Sequence, residues 1–339
     1  MKNALLIYRV NSKNNIFNIG DYIQSLAAAQ YFDKIDLLIE REKLDSYKGE
    51  LIKLIMNGWF MHCPENWPPS NKIVPLFVAF HINKLAEKEL ISEKSINYLK
   101  QYQPIGCRDY HTVELLKSKG VDCYFSACLT LTLGLQYKYV YPRDGNVYFV
   151  DLPNPIFISF RSVCESIFAF ILRYKTIHCI YKKRYNKFGV KSYLANIFFY
   201  ARYNKVFTSR LLREAYYVQH EIKDDFNSEC EKFEYAKRLL FKYAKASLVV
   251  TSRIHCALPC LGLETPVFFV YNPDASEVGN CRLKGLLDFF YVIKLKKNRM
   301  ICEISSDKID KGFKFKNKTL YQSYKDRLID ICLKFSKEK

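Results

Sequence analysis

The residues best placed to do chemistry are Thr251, Ser252, Arg253 and His255, gathered where a β-branched run, Leu248–Val250, stops. A second apolar run, Pro266–Val270, follows after a stretch of helical length. Strand, hydroxyl cap, helix and strand is the grammar of an α/β domain whose helix begins at the C-terminal edge of a sheet. The first turn of such a helix offers unpaired N–H groups and positive dipole potential to an anion. With Thr251 or Ser252 as the cap, Arg253 and His255 fall in that turn. Arg253 can grip a phosphate or carboxylate in a fork, and His255 titrates near neutrality and can move a proton beside it. Pro259, four residues after His255, cannot donate to its carbonyl and must distort the helix there.

Other polar residues recur just past strand candidates. Asn18, Gly20 and Asp21 precede a helix; Gly20 permits close backbone approach or positive φ. Asp21 and Gln24 are spaced as a capping box. A carboxylate at that cap repels phosphate, so this end suits sugar hydroxyls. Asn57 and Trp59 follow a strand and offer an amide and an indole to a sugar. His81 ends Val74–Phe80, Arg108-Asp109 ends Pro104–Cys107, and Ser126 and Cys128 follow Val121–Phe125. Each is weak alone, and Arg108-Asp109 reads equally as an ion pair fixing a loop. Their repeated place at one edge carries the argument.

The elements that must position them alternate. Strands are expected at Ala4–Tyr8, Ile35–Ile39, Leu51–Met56, Val74–Phe80, Pro104–Cys107 and Val121–Phe125. Helices are expected at Asp21–Phe32, Ser92–Lys100 and His111–Lys119, the last closed by Gly120. That order predicts a parallel sheet. The turn-rich stretch Gln136–Asp151 reads as a domain boundary. Beyond it come strands at Val147–Asp151 and Thr176–Ile180, a helix at Ser228–Ala246 with a Ser228/Glu231 capping box, and an amphipathic helix at Thr319–Phe335. The domains are therefore 1–140, 145–318 and a terminal helix, 319–339.

At 339 residues with 49% hydrophobic content the chain suits two folded domains rather than disorder. A formal charge of +19 calls for an anionic partner, whether nucleic acid, lipid headgroups or a phosphorylated substrate. The start, MKNALLIYRV, has too short an apolar run for a signal peptide, which with twelve cysteines implies reduced thiols in a cytoplasm. Without a Cys-x-x-Cys pair, buried structural cysteine is favoured and no metal site is expected. No Walker motif, Gly-x-Gly-x-x-Gly or Gly-x-Ser-x-Gly is present, so nucleoside triphosphatases, nicotinamide enzymes and serine hydrolases lose ground.

One stretch departs from this grammar. Residues 155–213 are dense in Phe, Tyr, Ile, Lys and Arg, with Glu165 as the one acid. Such a segment fits a membrane interface, and equally a helical excursion packed on its own domain. No apolar run is long enough to span a bilayer.

The chain resembles the polysaccharide pyruvyl transferases. The carrying segments are NIGDYIQSLAAAQ, MNGWFMHCPENWPPS, PLFVAFHI, IGCRDYHTVELLKSKGVDCYFSACLTLTL and YAKASLVVTSRIHCALPCLGLETPVFF. The last is similar to that family's Ser-Arg-Leu-His signature, here with Ile254 in place of Leu, whereas 155–228 matches poorly. The resemblance implies an α/β fold of two Rossmann-like domains facing across a cleft, GT-B-like, with the terminal helix returning to the first domain. It implies transfer of the pyruvyl group of phosphoenolpyruvate onto two sugar hydroxyls, giving a cyclic ketal and free phosphate, with no cofactor. His255 would then be catalytic. Arg253, Thr251 and Ser252 would hold the donor with a second arginine from Arg161, Arg210 or Arg282, among which the sequence does not choose. Asn18, Gly20, Asp21, Asn57, Trp59, His81, Arg108 and Ser126 fall to the acceptor. A lipid-linked acceptor at the anionic inner face of the plasma membrane would account for the charge, in capsule or exopolysaccharide synthesis. Two other readings stand beside it: a GT-B-type glycosyltransferase using a sugar nucleotide, and a non-enzymatic basic module. Nothing in the basic residues follows a nucleic-acid motif, so nucleic acid is not an expected partner.

Overall fold

The alternation resolves into two six-stranded sheets in a computed structural model that describes residues 1–8, 14–60, 62–140, 142–154, 159–296 and 299–338. The strands are β1 (Lys2–Ile7), β2 (Ile16–Asn18), β3 (Leu37–Glu40), β4 (Ile52–Trp59), β5 (Ile73–His81), β6 (Ile105–Cys107) and β7 (Cys123–Phe125). They continue with β8 (Val147–Val150), β9 (Tyr216–Val218), β10 (Glu221–Lys223), β11 (Leu248–Thr251), β12 (Val267–Tyr271), β13 (Tyr291–Lys296) and β14 (Arg299–Cys302).

The first sheet has the order β3-β1-β4-β5-β6-β7 and every pairing in it is parallel. The second runs β14-β13-β12-β11-β8-β9, parallel except for the antiparallel edge β14. In each the strand order reverses beside the first strand, between β1 and β4 and between β8 and β11. Such reversals open a crevice beyond the carboxyl ends of the strands, where α/β sheets bind ligands.

The side chains of the second sheet alternate between two cores. Val249, Val150, Phe269 and Val292 join the apolar cluster that contains the first sheet. Leu248, Val250, Phe149 and Phe268 face a second cluster with Ile177, Ile180, Phe199 and Tyr203. The first cluster passes through helices Ile19–Ala29, Glu229–Lys245 and Ile254–Gly262 without a break, so the two sheets share a core. Gly262 serves a close backbone approach between the halves: a Cβ there would lie 2.4 Å from the Leu131 carbonyl oxygen.

Several expectations shift. Thr176–Ile180 is not a strand but part of helix Phe160–Arg184, because Ile177, Ile180 and Tyr181 recur at helical spacing and all three are buried. The first helix spans Ile19–Ala29 and its cap is Asn18, whose side chain accepts from the Gly20 N–H. Asp21 is thus inside the first turn, bonded to Gln24 Nε2 rather than capping. Gly120 does take the left-handed conformation, φ 71°, just beyond helix Tyr110–Ser118. Ser228 caps Glu229–Lys245 through the Glu231 N–H. Strands β2 and β10, unforeseen in the sequence, pair antiparallel and tie the two halves together. The last helix, Gln322–Lys337, buries Leu328, Cys332 and Phe335 in the first-sheet cluster. Buried Lys53 of β4 donates to the Phe335 carbonyl at 2.8 Å and also to the Glu338 carbonyl, so a cation meets the negative end of that helix.

Candidate active site

Helix Ile254–Gly262 starts without a side-chain cap, and this changes the reading of its neighbours. The N-cap position belongs to Arg253. Thr251 accepts from the Arg253 N–H at 3.0 Å, and the Ser252 hydroxyl donates to the Asp151 carbonyl at 2.6 Å. Both hydroxyls are therefore occupied in shaping the turn. Asp151 is the hub of that turn, just past β8, held at φ 46°, a conformation Asp tolerates better than most residues. Its carboxylate accepts from Arg253 Nε at 2.8 Å and from the His220 N–H at 3.1 Å. Arg253 extends its other end to Glu221 at 2.6 Å. Burial works against the guanidinium charge, but Asp151 and Glu221 outweigh it and raise its pKa.

The first half meets this turn from the opposite side. β2 pairs with β10 through Asn18 and Glu221, and the Ile19 N–H donates to the His220 carbonyl at 2.9 Å. Gly20 then lies against His255. A Cβ on Gly20 would meet the His255 Cβ and Asn18 Oδ1, each at 3.0 Å, so the glycine serves close approach and not positive φ. Arg108, past β6, brings Nη1 to 3.4 Å from His255 Nε2. Its Nε lies 4.0 Å from Asp109, which instead holds His81 Nδ1 at 2.6 Å and the Thr112 N–H at 2.9 Å. Asp109 thus pairs closely with buried His81 and keeps a longer ion-pair contact with Arg108.

An inner recess of about 40 Å³ is walled by Asn18, Asp21, Trp59, Arg108, His220, Arg253, Ile254, His255 and Arg282. It opens to a chamber of about 500 Å³ that shares Asn18, Asp21, Trp59, Arg253 and Arg282 and adds Tyr8, Arg41, His62 and Glu221. Arg282 enters from the short turn Cys281–Leu283, far along the chain. Nε of Arg108 and Nε of Arg282 are buried and have no acceptor among the described residues. Buried donors without acceptors are uncommon in folded proteins, and here two cationic ones belong to the wall of a recess that also holds His255.

The electrostatics follow from that crowding. Burial, then Arg108 and Arg282, hold the His255 pKa well below its ordinary value. Burial and the fields of Arg108 and Arg253 also lower Arg282. Burial pushes the Asp21 carboxyl up against the opposing pull of Arg41, whose Nη1 lies 3.9 Å away. His81 is pushed down to about 4, first by burial and then by Arg108, against the pull of Asp109. The wall as a whole suits an anion with more than one charge, set beside a neutral imidazole.

Of the residues expected here, His255, Arg253, Arg282, Arg108, Asn18, Asp21 and Trp59 meet at the recess, with Gly20 packed behind it. Asp21 shares the recess with Arg108, Arg253 and Arg282 and does not lie at a separate end of the site. Asn57 is buried behind the wall, donating to the Gln24 carbonyl, and Ser126 ties Ala79 to Cys107. His81 lies under Trp59, the rings stacked at 6.4 Å. Arg161 is not brought to the site: it is exposed on helix Phe160–Arg184 and paired with Glu165. Arg210 is likewise exposed and paired with Glu214. Among the described residues no group of three or more His, Cys, Asp or Glu could hold a metal ion.

The chain matches the polysaccharide pyruvyl transferase family over residues 18–274. It belongs to that family. A search of curated proteins finds no match. The stretch that matches contains every recess residue of this pyruvyl transferase family member except Arg282, which lies beyond it. Two residues of the site escaped the sequence reading: Asp151, which holds Arg253, and His220, which lines the recess. Asp151 sits just past a strand, the same signal that singled out Arg108, and could have been found by it. His220 lies in a segment with no legible pattern; its Nε2 meets the Tyr243 hydroxyl at 2.8 Å and its Nδ1 is buried without a partner among the described residues.

Proposed function

We propose that the protein transfers the pyruvyl group of phosphoenolpyruvate onto two hydroxyls of a saccharide, forming a cyclic ketal and releasing phosphate. The observation that carries this reading is that Arg108 and Arg282, each with a buried Nε that has no acceptor among the described residues, line the same recess as His255. Phosphoenolpyruvate presents a phosphate and a carboxylate, and planar guanidinium forks suit both. Arg253 has carboxylates at two of its nitrogens, so its part is to hold Asp151 and the helix start in place. The second donor arginine is therefore Arg282, and Arg108 moves from the acceptor side to the donor side.

The chemistry requires a proton on the methylene carbon and attack by one hydroxyl at the central carbon. The second hydroxyl then attacks as phosphate leaves with the remaining proton. His255 is the group to move the first proton. Burial and, after it, two nearby cations favour its neutral form, and a bound dianion offsets the cations' field and eases uptake of that proton. Asn18, Asp21 and Trp59 face the larger chamber, where a sugar ring has room to stack and bond. The architecture is read as two Rossmann-like domains, 1–140 on the acceptor side and 145–318 on the donor side, GT-B-like, with 319–339 returning. The acceptor is proposed to be a lipid-linked unit of a capsule or exopolysaccharide, met on the cytoplasmic face of the plasma membrane.

The test is incubation of the full chain with phosphoenolpyruvate and candidate saccharides. Phosphate release that needs both, with an acid-labile gain in acceptor mass, is the expected result. Thermal stabilisation by sugar nucleotides with none by phosphoenolpyruvate would overturn it in favour of a glycosyltransferase.

A further inference from the structure

Helix Phe160–Arg184 bends at Arg173, where φ is −131°, and packs against helix Val190–Tyr203 as a hairpin over the outer face of the second sheet. The inward residues are accounted for: Ile177, Ile180, Phe199, Tyr200 and Tyr203 are fully buried. The outward residues are not what water selects. Phe160, Ile167, Phe168, Ile171 and Leu172 recur at helical spacing and stay exposed, Phe168 at 66% and Ile171 at 71%. Phe188, Val190 and Leu194 add further exposed apolar surface at the turn and on the second helix. Isolated exposed apolar residues are ordinary, but a stripe about 20 Å long marks an interaction surface.

The charge on the same surface identifies the occupant. Every charged residue of 160–194 that is exposed is Arg or Lys. The single acid there, Glu165, is partly buried and bonded to Arg161 and Lys205. An isologous contact between two copies would bring these cations face to face, which disfavours a dimer through this surface. Three of the exposed apolar residues, Phe160, Phe168 and Phe188, carry rings, but Ile167, Ile171, Leu172, Val190 and Leu194 stack on no base, which favours lipid over a nucleic acid. Apolar stripe and basic flank together match a bilayer with anionic headgroups, where the stripe sinks below the phosphates and the cations stay among them. No described helix is long and apolar enough to cross a membrane, so the hairpin lies on the surface.

We infer that the hairpin 160–203 docks the protein on an anionic lipid bilayer through the exposed stripe Phe160–Leu172. The inference gives the lipid-linked acceptor a surface on which to be met and in that respect rests on the transferase reading. The surface itself is read from the hairpin alone.

The experiment is co-sedimentation of the full chain with vesicles of phosphatidylcholine, with and without phosphatidylglycerol. Turnover with a water-soluble acceptor and light scattering in solution are measured in parallel. Binding is expected only with phosphatidylglycerol, to weaken with salt, and to fall about tenfold in the Phe168→Ser/Ile171→Ser double variant. Lys175→Glu/Lys187→Glu/Lys191→Glu should weaken it similarly, and both variants should keep wild-type turnover on the soluble acceptor. No binding to anionic vesicles, binding unchanged in F168S/I171S, or a solution dimer dissolved by those substitutions overturns the inference. Vesicle binding that responds as expected in a protein without pyruvyl transfer would sink the transferase reading and leave the docking surface standing.

Discussion

Arg108 Nη1 lies 3.4 Å from His255 Nε2, which joins the edge of the first sheet to the first turn of a helix from the second. A guanidinium only donates, so the His255 nitrogen facing it is the unprotonated one. Burial first, then Arg108 and Arg282, hold His255 toward the neutral form, so an anion that offsets the arginines would ease its protonation. On the proposed function, Arg108 would both hold the donor anion and bias the protonation of His255. This coupling needs both halves of the chain, and the β2–β10 ladder with the Ile19-to-His220 backbone bond fixes their registration beside it.

Removing one donor arginine should weaken phosphoenolpyruvate binding. A charge-assisted hydrogen bond in a buried site contributes about 2 kcal/mol, so Arg282→Met should raise KM for phosphoenolpyruvate roughly thirtyfold. Arg161→Ala, remote and exposed, should leave KM within about twofold of wild type. Steady-state kinetics on both variants separates the arginines, and equal effects would remove Arg282 from the donor site.

The His255 pKa should rise when an anion binds. The depression comes first from burial and then from Arg108 and Arg282, and a dianion opposes the last two. Following the imidazole by NMR with and without inorganic phosphate should show the titration move upward in pH. Arg108→Met should move it upward with no ligand present. An unchanged midpoint in both would mean that burial alone sets it.

Much of this arrangement was legible in the sequence because parallel strands advertise their ends. Each β-branched run stops at its polar residues, so Arg108, Arg253 and His255 were found by position alone. The side-chain partners were not legible. Nothing local says that Asp109 takes His81 rather than Arg108, because that choice depends on helix Tyr110–Ser118 swinging its cap toward β5. That Arg253 is held by Asp151 and Glu221 was not legible, because they are 102 and 32 residues away in sequence. Hairpin 160–203 hid its helical period because both faces carry apolar residues, one set in the core and one set exposed, which blurs any amphipathic signal.

Gly20→Ala tests the contact between the halves. Alanine is the better helix former by about 1 kcal/mol, so stability alone would improve. Its Cβ, however, would press on the His255 Cβ and Asn18 Oδ1 at 3.0 Å, tighter than normal carbon contact. The expected outcome is a thermal midpoint near wild type with kcat lowered about tenfold, since a shift of a few tenths of an ångström misplaces the imidazole. Wild-type kcat in this variant would show that His255 needs no such placement.

The buried His81–Asp109 pair should make the protein acid-sensitive in a defined window. His81 is fully buried, and its pKa falls to about 4 from an ordinary value of 6.5. The unfolded chain therefore binds a proton on His81 near pH 6.5, whereas the folded chain waits until about pH 4. Stability from this group is fully present above pH 6.5 and is lost as pH falls through the interval. The total loss approaches about 3 kcal/mol, taking roughly 1.4 kcal/mol per pH unit per proton. Asp109 adds to the trend, because His81 holds its carboxyl below the ordinary range despite burial, and the stability it confers is lost at still lower pH. Urea unfolding from pH 7 to pH 4 should show this slope. His81→Asn places an amide donor where Nδ1 bonded Asp109 and cannot titrate, so its slope should be shallower by about one proton. If the variant keeps the wild-type slope, the missing proton belongs to another group and His81 is not the acid sensor.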